Sequence, residues 1–212
     1  MPAKRDATHI TFPVRSVLLG REKVQSLKIP NFKTEEGSIL YKNTVGRLIS
    51  PRVAQVLLTR VTEQLNPDKQ HTILDLGSGP GTVCLPLAKE FPGLAITAVD
   101  TSDSMVQLAK SEAEKLGLRN IRFGDMDAGH IGVSNDAFDI VLCNLAFPFF
   151  ARPYDSMREI LSVMRPQAAA FHLLDYATSD MKSELADAIN AKYPNGFRMH
   201  YEVELLTGTR AV

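Results

Sequence analysis

The sequence has few cysteines and no surplus of either charge sign. Its 212 residues include two cysteines, 24 basic and 24 acidic side chains, which give a formal net charge of zero at pH 7. Cys84 and Cys143 fall in a predicted helix and a predicted buried strand. This placement is typical of core thiols in a reducing compartment, and not of a disulfide pair or a metal site. A neutral chain also has no overall basic field to attract nucleic acid, so we expect no nucleic-acid partner.

Long apolar runs and targeting segments are also missing. No run reaches the roughly 20 residues that span a bilayer, and the start has no apolar signal-peptide core. Residues 1–23 mix basic side chains with Asp6 and Glu22, so a mitochondrial transit peptide is not favoured. The sequence therefore predicts a cytoplasmic protein without a membrane span, with a mitochondrial location as the alternative.

Spacings typical of other enzyme classes do not stand out either. No Ser–His–Asp arrangement or metal-ligand spacing is apparent, so hydrolase and metalloenzyme interpretations lack support and no metal is expected.

A glycine-dense turn between an apolar strand and a helix is the clearest pattern that is present. It reads Ile73-Leu74-Asp75-Leu76-Gly77-Ser78-Gly79-Pro80-Gly81-Thr82. Because glycine has no Cβ, such a turn bends sharply and brings its amides close to a ligand, and a helix starting near Thr82 adds unpaired N–H groups. The spacing differs from the dinucleotide fingerprint G-x-G-x-x-G, and the lysine of a P-loop is absent.

The order D-x-G-x-G-x-G resembles motif I of the class I S-adenosylmethionine-dependent methyltransferases. Three more predicted strands end in polar residues at family-like spacing, at Asp100, at Asp125 and at Asn144. An acidic side chain roughly 20 residues after a glycine turn is placed to accept both ribose hydroxyls of an adenosine. The alternative for Asp100 is that it only caps the next helix.

The resemblance implies a binding site for S-adenosylmethionine. In that family the glycine turn lies against the methionine part of the cofactor, a carboxylate at Asp125 meets the adenine amino group, and the next residue, Met126, packs on the ring. Ordinary core filling is the alternative for Met126. The cofactor-binding residues implied are Asp75, Gly77, Ser78, Gly79, Gly81, Asp100, Thr101, Met105, Gly124, Asp125, Met126, Asp127, Asn144, Leu145 and Tyr41.

Strand and helix patterns alternate along the chain, which predicts an α/β fold with a mostly parallel sheet and helices on both faces. The resemblance implies a doubly wound, Rossmann-like sheet of seven strands. We expect residues 1–50 to form an N-terminal helical lid and residues 51–212 the cofactor-binding domain. Since the family's last strand should begin near Arg210, the C-terminal hairpin is expected to be very short or truncated. Predicted helices span 48–65, 103–116, 154–164 and 179–193, and the fifth and sixth strands span 168–176 and 197–206.

The nearest resemblance, over Asn135 to Pro166, is to quinone-biosynthesis C-methyltransferases and their small-molecule relatives. We therefore expect an enzyme that transfers a methyl group to carbon or oxygen of a small, largely apolar or aromatic molecule. Phe147, Phe149 and Phe150 are the candidate substrate wall, although they could equally pack beneath the following helix. A homodimer is a possible assembly.

Catalysis is expected to come mostly from alignment, because the leaving group of the cofactor is already activated. The candidates for polar assistance are Asp175, Tyr176 and His172. A histidine within a strand, as His172 is, is more often a buried structural residue than a base. Two alternatives stay open. One is a catalytically silent cofactor-binding or scaffold protein. The other is an N-methyltransferase, although Asn144-Leu145-Ala146-Phe147 matches only the ends of the Asn-Pro-Pro-Phe/Tyr motif.

Overall fold

Helices and parallel strands alternate in the computed structural model, which describes residues 34–43, 50–63, 65, 69–165, 170–174 and 200–201. The helices are α1 (Glu35–Asn43), α2 (Ser50–Thr62), α3 (Cys84–Glu90), α4 (Asp103–Lys115) and α5 (Pro153–Val163). The strands are β1 (Thr72–Leu76), β2 (Ala95–Asp100), β3 (Ile121–Asp125), β4 (Ile140–Asn144), β5 (Ala170–Leu174) and β6 (His200–Tyr201), and a 3₁₀ turn spans Phe147–Phe149.

These six strands form one sheet in the order β3-β2-β1-β4-β5-β6, and every pairing between them is parallel. The chain builds outward from β1 to β3, then returns to the other side of β1 with β4. This is the doubly wound arrangement that the sequence predicts, and it puts the topological switch point between β1 and β4. The predicted seventh strand, the helix over 179–193 and most of the sixth strand lie outside the described residues.

The central strands are buried because both faces of the sheet are covered. Ile73 and Leu142 belong to one apolar cluster, together with Cys84 from α3. Leu76 and Cys143 belong to a second cluster, which α5 closes from the other side. Such strands read as continuous apolar runs because alternate side chains enter opposite layers of the core.

Two helix starts illustrate how local sequence sets the element bounds. Ser102 caps α4 by accepting a hydrogen bond from the amide of Met105 at 3.3 Å. By contrast, α3 begins only at Cys84, two residues after the predicted start at Thr82, because the turn continues through Val83. No helix within the described ranges is long and apolar enough to cross a bilayer.

A polar clamp joins β1 and β4 at their amino ends. The Asp139 carboxylate accepts hydrogen bonds from the amide and hydroxyl of Thr72, both at 2.8 Å, and lies 2.7 Å from Nη1 of Arg165. Burial opposes ionisation of Asp139, but the Arg165 guanidinium and the Thr72 donors outweigh it, so the pKa of the carboxyl lies below its usual value. The clamp fixes the register of the two strands whose opposite ends form the site.

Candidate functional site

The carboxyl ends of the strands bring the predicted polar residues to one edge of the sheet. Asp100 of β2 stands beside Asp125 of β3 in register, and β1 and β4 pair through Leu76 and Cys143, one residue before Asn144. In doubly wound sheets ligands bind in the crevice outside these ends, at the switch point. The predicted site residues on β1 to β4 therefore share one edge.

Gly77 and Gly79 have different roles in the glycine turn. Both adopt left-handed backbone, with φ of +66° and +53°, which a residue with a Cβ adopts only with strain. A Cβ at Gly77 would collide with the Cβ of Ala146, whereas one at Gly79 would meet nothing within 4 Å. Gly77 thus allows close packing of the turn on the segment after β4. The position beside Gly79 is open space.

The turn uses several of its amides internally. The amide of Ser78 donates to the Val99 carbonyl at 3.0 Å, and that of Gly81 to the Ser78 carbonyl at 3.0 Å. The Gly79 amide donates to Oδ2 of Asp100 at 2.8 Å. These three amides fasten the turn to β2 and to itself, so they are not the free ligand donors that the sequence pattern predicts.

Asp100 links the turn to the start of α4. Its second oxygen, Oδ1, accepts from the Ser102 amide at 2.9 Å, and Ser102, not Asp100, caps the helix. Burial raises the pKa of Asp100, the two amides partly offset this, and the nearby Asp125 carboxylate raises it further. A carboxylate oxygen has two lone pairs, so each oxygen retains capacity for a hydroxyl donor.

Three buried polar atoms in this region have no hydrogen-bond partner. They are Oδ2 of Asp75, Oγ of Ser78 and Oδ1 of Asn144. Burying such atoms without partners costs free energy, so native proteins rarely retain them without a ligand, water or functional reason. Two acceptors and one hydroxyl fit the ammonium and carboxylate groups of an amino acid, which are the groups of the methionine part of S-adenosylmethionine.

The residue after Asn144 has an unusual backbone. Leu145 has φ of +55°, although it is neither glycine nor asparagine, and such a conformation costs of order 1–3 kcal/mol. The bend turns the chain back so that Ala146 packs against Gly77. Strained backbone at a switch point is typical of functional sites.

The three phenylalanines after β4 have different environments. Phe147 is 4 % exposed and lies in the core, in an edge-to-face contact with Phe150 at 5.4 Å. Phe150 is half-buried beside Gly77, and Phe149 is 41 % exposed. Phe147 is therefore a core residue, as the packing alternative predicts. Of the predicted substrate wall, only Phe149 and Phe150 are accessible to a ligand.

The other predicted residues divide by burial. Thr101, Asp125 and Asp127 are exposed; Gly124, Met126 and Leu145 are half-buried; and Met105 is 3 % exposed in the core. Tyr41 is half-buried on α1, which packs against α4. His172 lies on β5, paired in register with Leu142 of β4, and Asp175 and Tyr176 lie outside the described residues. Their roles stay predictions.

Two residues near the candidate site were not predicted from the sequence. Cys84 lies beside Asp75, where its thiol and amide lower the pKa of the carboxyl, and Ala146 packs on Gly77. The pairing of β1 with β4 brings the residues after β4 close to Gly77. A small residue such as Ala146 could therefore have been expected there. No group of His, Cys, Asp or Glu among the described residues is arranged to hold a metal ion.

Comparison with known proteins assigns this architecture to a family. A family model described as a methyltransferase domain matches residues 67–196, more than half of the chain. The chain belongs to the methyltransferase domain family. This membership confirms the predicted family and supports S-adenosylmethionine as the cofactor.

Individual relatives of this methyltransferase domain are more distant. The chain is 34% identical over 115 residues to the uncharacterized methyltransferase YcgJ of Bacillus subtilis. The matched region covers 52% of this chain and 43% of YcgJ. It is 33% identical over 94 residues to the demethylmenaquinone methyltransferase of Thermus thermophilus, with coverage of 44% and 42%. A solved S-adenosylmethionine-dependent methyltransferase from Aquifex aeolicus shares the fold, with a TM-score of 0.52, 19% identity and coverage of 67% and 87%.

The match spans less than half of the length of these two curated relatives. Other relatives are named for methylation of release factor glutamine, of malonyl-acyl-carrier protein and of 23S ribosomal RNA. The family is therefore established, while the names of the relatives point to several kinds of methyl acceptor.

Proposed function

We propose that the chain transfers the methyl group of S-adenosylmethionine to carbon or oxygen of a small, largely apolar or aromatic molecule. The observation that supports the cofactor site is the set of unpartnered buried atoms of Asp75, Ser78 and Asn144 beside the glycine turn. They provide acceptors and a hydroxyl for an amino-acid end group at the switch point, where doubly wound sheets bind ligands.

The remaining cofactor contacts follow the strand order. Asp75 and Asn144 would accept from the ammonium group, and the Ser78 hydroxyl would donate to the carboxylate. Asp100 would accept from the ribose hydroxyls with the lone pairs that Gly79 and Ser102 leave free. Exposed Asp125 and half-buried Met126 would meet the adenine.

When bound, the cofactor supplies a methyl group on an already activated leaving group. The protein then needs mainly to align the acceptor and exclude water, because positioned reactants avoid much of the entropic cost of encounter. Phe150 provides apolar surface beside Gly77 of the turn, and Phe149, the residue before it, exposes its ring. This surface favours an apolar or aromatic acceptor.

A second candidate is transfer to nitrogen. The unpartnered Oδ1 of Asn144 could accept a hydrogen bond from a planar N–H group. Both prolines of the Asn-Pro-Pro-Phe/Tyr motif are replaced, by Leu145 and Ala146. The carbonyl geometry of that motif is then not supplied by the sequence, so we rank this candidate second.

The first experiment is calorimetric titration with S-adenosylmethionine and S-adenosylhomocysteine, followed by incubation with methyl-labelled cofactor. The acceptor panel comprises quinone-like phenols, small amines, peptides and RNA. We expect binding of both ligands and label on a phenol or a related small molecule. Label only on amines or peptides would favour nitrogen transfer. Binding without label on any acceptor would favour the catalytically silent alternative, and labelling of RNA alone would contradict the proposal.

A second experiment tests the aromatic surface. Phe149→Ala removes an exposed ring and is expected to lower turnover several-fold with cofactor affinity and stability nearly unchanged. Phe147→Ala is the contrast, since loss of a buried ring costs about 3–5 kcal/mol of unfolding free energy. Equal turnover of Phe149→Ala and the unmodified protein on the identified acceptor would remove Phe149 from the substrate wall.

A further inference from the structure

The carboxyl group of Asp75 lies in the core beside Cys84. Asp75 is 1 % exposed and Cys84 is fully buried, and the thiol and amide of Cys84 lie beside the carboxyl and lower its pKa. Cys84 is the first residue of α3, whose N-cap position, Val83, makes no side-chain cap. A carboxylate from β1 therefore lies beside the start of a helix nine residues later in the sequence.

This arrangement leaves the other side of the carboxyl without a partner. Oδ2 of Asp75 is buried and makes no hydrogen bond. The hydroxyl of Ser78, three residues later in the glycine turn, is also buried and has no hydrogen-bond partner. One face of the Asp75 carboxyl thus lies beside Cys84, and the other is open to a donor that the protein itself does not provide.

The charge state of the pair is unusual. Burial, opposed by the Cys84 thiol and amide and reinforced by the Asp100 carboxylate, raises the pKa of Asp75 to about 7. Burial and the nearby Asp75 also raise the pKa of the Cys84 thiol, so the sulfur keeps its proton and remains a donor. Asp100 from β2 and Cys84 from α3 are the titratable groups that face Asp75.

We propose that Cys84 is a positioning residue, whose thiol orients the Asp75 carboxyl toward the ammonium group of the cofactor, and that cofactor binding releases one proton from the buried Asp75. The proton passes from the carboxylic acid to solvent, and the resulting carboxylate pairs with the ammonium, which keeps its own protons. This inference rests on the proposed placement of the cofactor's amino-acid end.

The coupling predicts a specific pH dependence. A protonated Asp75 must lose its proton before it can pair with a cation, so affinity should rise with pH until Asp75 is ionised in the free protein. Between pH 5.5 and 7.0 the dissociation constant for S-adenosylhomocysteine should fall roughly tenfold, since one pKa unit corresponds to a factor of ten. This range stays below the titration of an α-amino group, at about 7.7–8.0.

Calorimetry in buffers of different ionisation enthalpy measures the released proton directly. At pH 6.0 the binding enthalpy of the unmodified protein should depend on the buffer with a slope close to one proton. Asp75→Asn, which keeps the shape but does not titrate, should bind more weakly, with a slope near zero and a flat pH profile. An equal proton count in both proteins would overturn the coupling.

Cys84 is tested by a matched set of variants. Cys84→Ala should weaken binding several-fold at pH 7 and move the midpoint of the pH profile upward, because the ionised carboxylate loses a donor. Cys84→Ser, which restores an O–H donor, should return the profile toward that of the unmodified protein. Cys143→Ala creates a similar cavity in the cluster on the other face of the sheet and should leave the midpoint unchanged.

The possible failures are distinguishable. If Cys84→Ala and Cys143→Ala have the same midpoint, or if Cys84→Ser behaves as Cys84→Ala, Cys84 only fills space and the proposal is wrong. Should Cys84→Ala not fold, the comparison of Asp75→Asn with the unmodified protein still decides the proton coupling. Absence of binding by the unmodified protein at every pH would refute the proposed cofactor site, and this inference with it.

Discussion

At the residue scale, Gly79 gives the most direct test of where the cofactor lies. Gly79→Val would project a side chain into open space at the turn, so cofactor affinity should fall at least about tenfold through steric exclusion. Gly117, after α4, also has left-handed backbone, with φ of +67° and nothing within 4 Å of its Cβ position. Gly117→Val should therefore show a similar backbone cost, about 1–2 kcal/mol or more, with normal affinity.

Thermal unfolding of both glycine variants measures the cost of backbone strain, and calorimetric titration measures whether the new side chain blocks the cofactor. Undiminished affinity in a folded Gly79→Val protein would place the cofactor elsewhere.

Asp100 holds the turn through the Gly79 and Ser102 amides, and we propose that it also offers lone pairs to the ribose. Asp100→Asn keeps the shape but replaces one acceptor oxygen by an amide that faces either the Gly79 or the Ser102 N–H. We expect cofactor binding to weaken by about 1.5–3 kcal/mol, the range for hydrogen bonds to charged groups. Exposed Asp103, in the first turn of α4, provides the control Asp103→Asn.

Titration with adenosine alone distinguishes the roles of Asp100, because adenosine contains the ribose without the amino-acid group. If Asp100→Asn weakens S-adenosylhomocysteine but leaves adenosine binding unchanged, Asp100 acts through the turn and the ribose assignment is wrong.

At the scale of elements, the amino ends of β1 and β4 stabilise the sheet while their carboxyl ends carry the site. Asp139→Ala removes the acceptor of the Thr72 amide and the carboxylate partner of Arg165, whereas the Thr72 hydroxyl keeps the Ala137 carbonyl at 3.0 Å. We expect a loss of about 1–3 kcal/mol in unfolding free energy, because the Asp139 side chain is buried but its partner Arg165 is 42% exposed. Cofactor affinity of the folded protein should change little, because the clamp lies at the opposite edge of the sheet.

Asp155 on α5 is the matched control for the clamp. Like Asp139, it pairs with arginine, here with Arg152 at 3.7 Å and Arg158 at 3.6 Å, but its side chain is 46% exposed. Asp155→Ala should cost less than about 1 kcal/mol, since solvent-exposed pairs contribute little. Urea unfolding that ranks the two variants equally would show that the clamp is not the stabilising contact.

At the scale of the whole molecule, the raised pKa of Asp75 makes the stability of the free protein depend on pH. The folded state holds a proton up to about pH 7, whereas an unfolded chain releases it near its ordinary value of about 3.9. Stability from this group is therefore present below pH 4 and is lost as pH rises to about 7. Relative to Asp75→Asn, the unmodified protein should lose on the order of a few kcal/mol of unfolding free energy over this pH range.

Urea unfolding of both proteins at pH 5, 6, 7 and 8 checks this, and the difference between them removes the effects of other groups. A difference that does not change with pH would mean that Asp75 is already ionised in the free fold.

The sequence predicts the layout of the molecule better than its contacts. Alternating patterns predict a mostly parallel sheet with helices on both faces, and the family resemblance implies its doubly wound order. Polar residues that follow apolar strands predict that Asp100 and Asn144 lie at the same end of the sheet. Side-chain partners depend on three-dimensional packing that no local pattern encodes. The delayed start of α3 brings Cys84 to Asp75, and the 3₁₀ turn buries Phe147 but exposes Phe149.

The bond between the Gly79 amide and Asp100 has a consequence for the kinetics of solvent exchange. An amide that donates to a carboxylate exchanges its hydrogen only when the turn opens, and both partners of this bond belong to the protein. A ligand therefore does not have to supply the contact that orders the turn, so less conformational entropy is lost when it binds. In isotope terms, Gly79 should be protected in the ligand-free protein, and ligand binding should slow its exchange only by suppressing the opening.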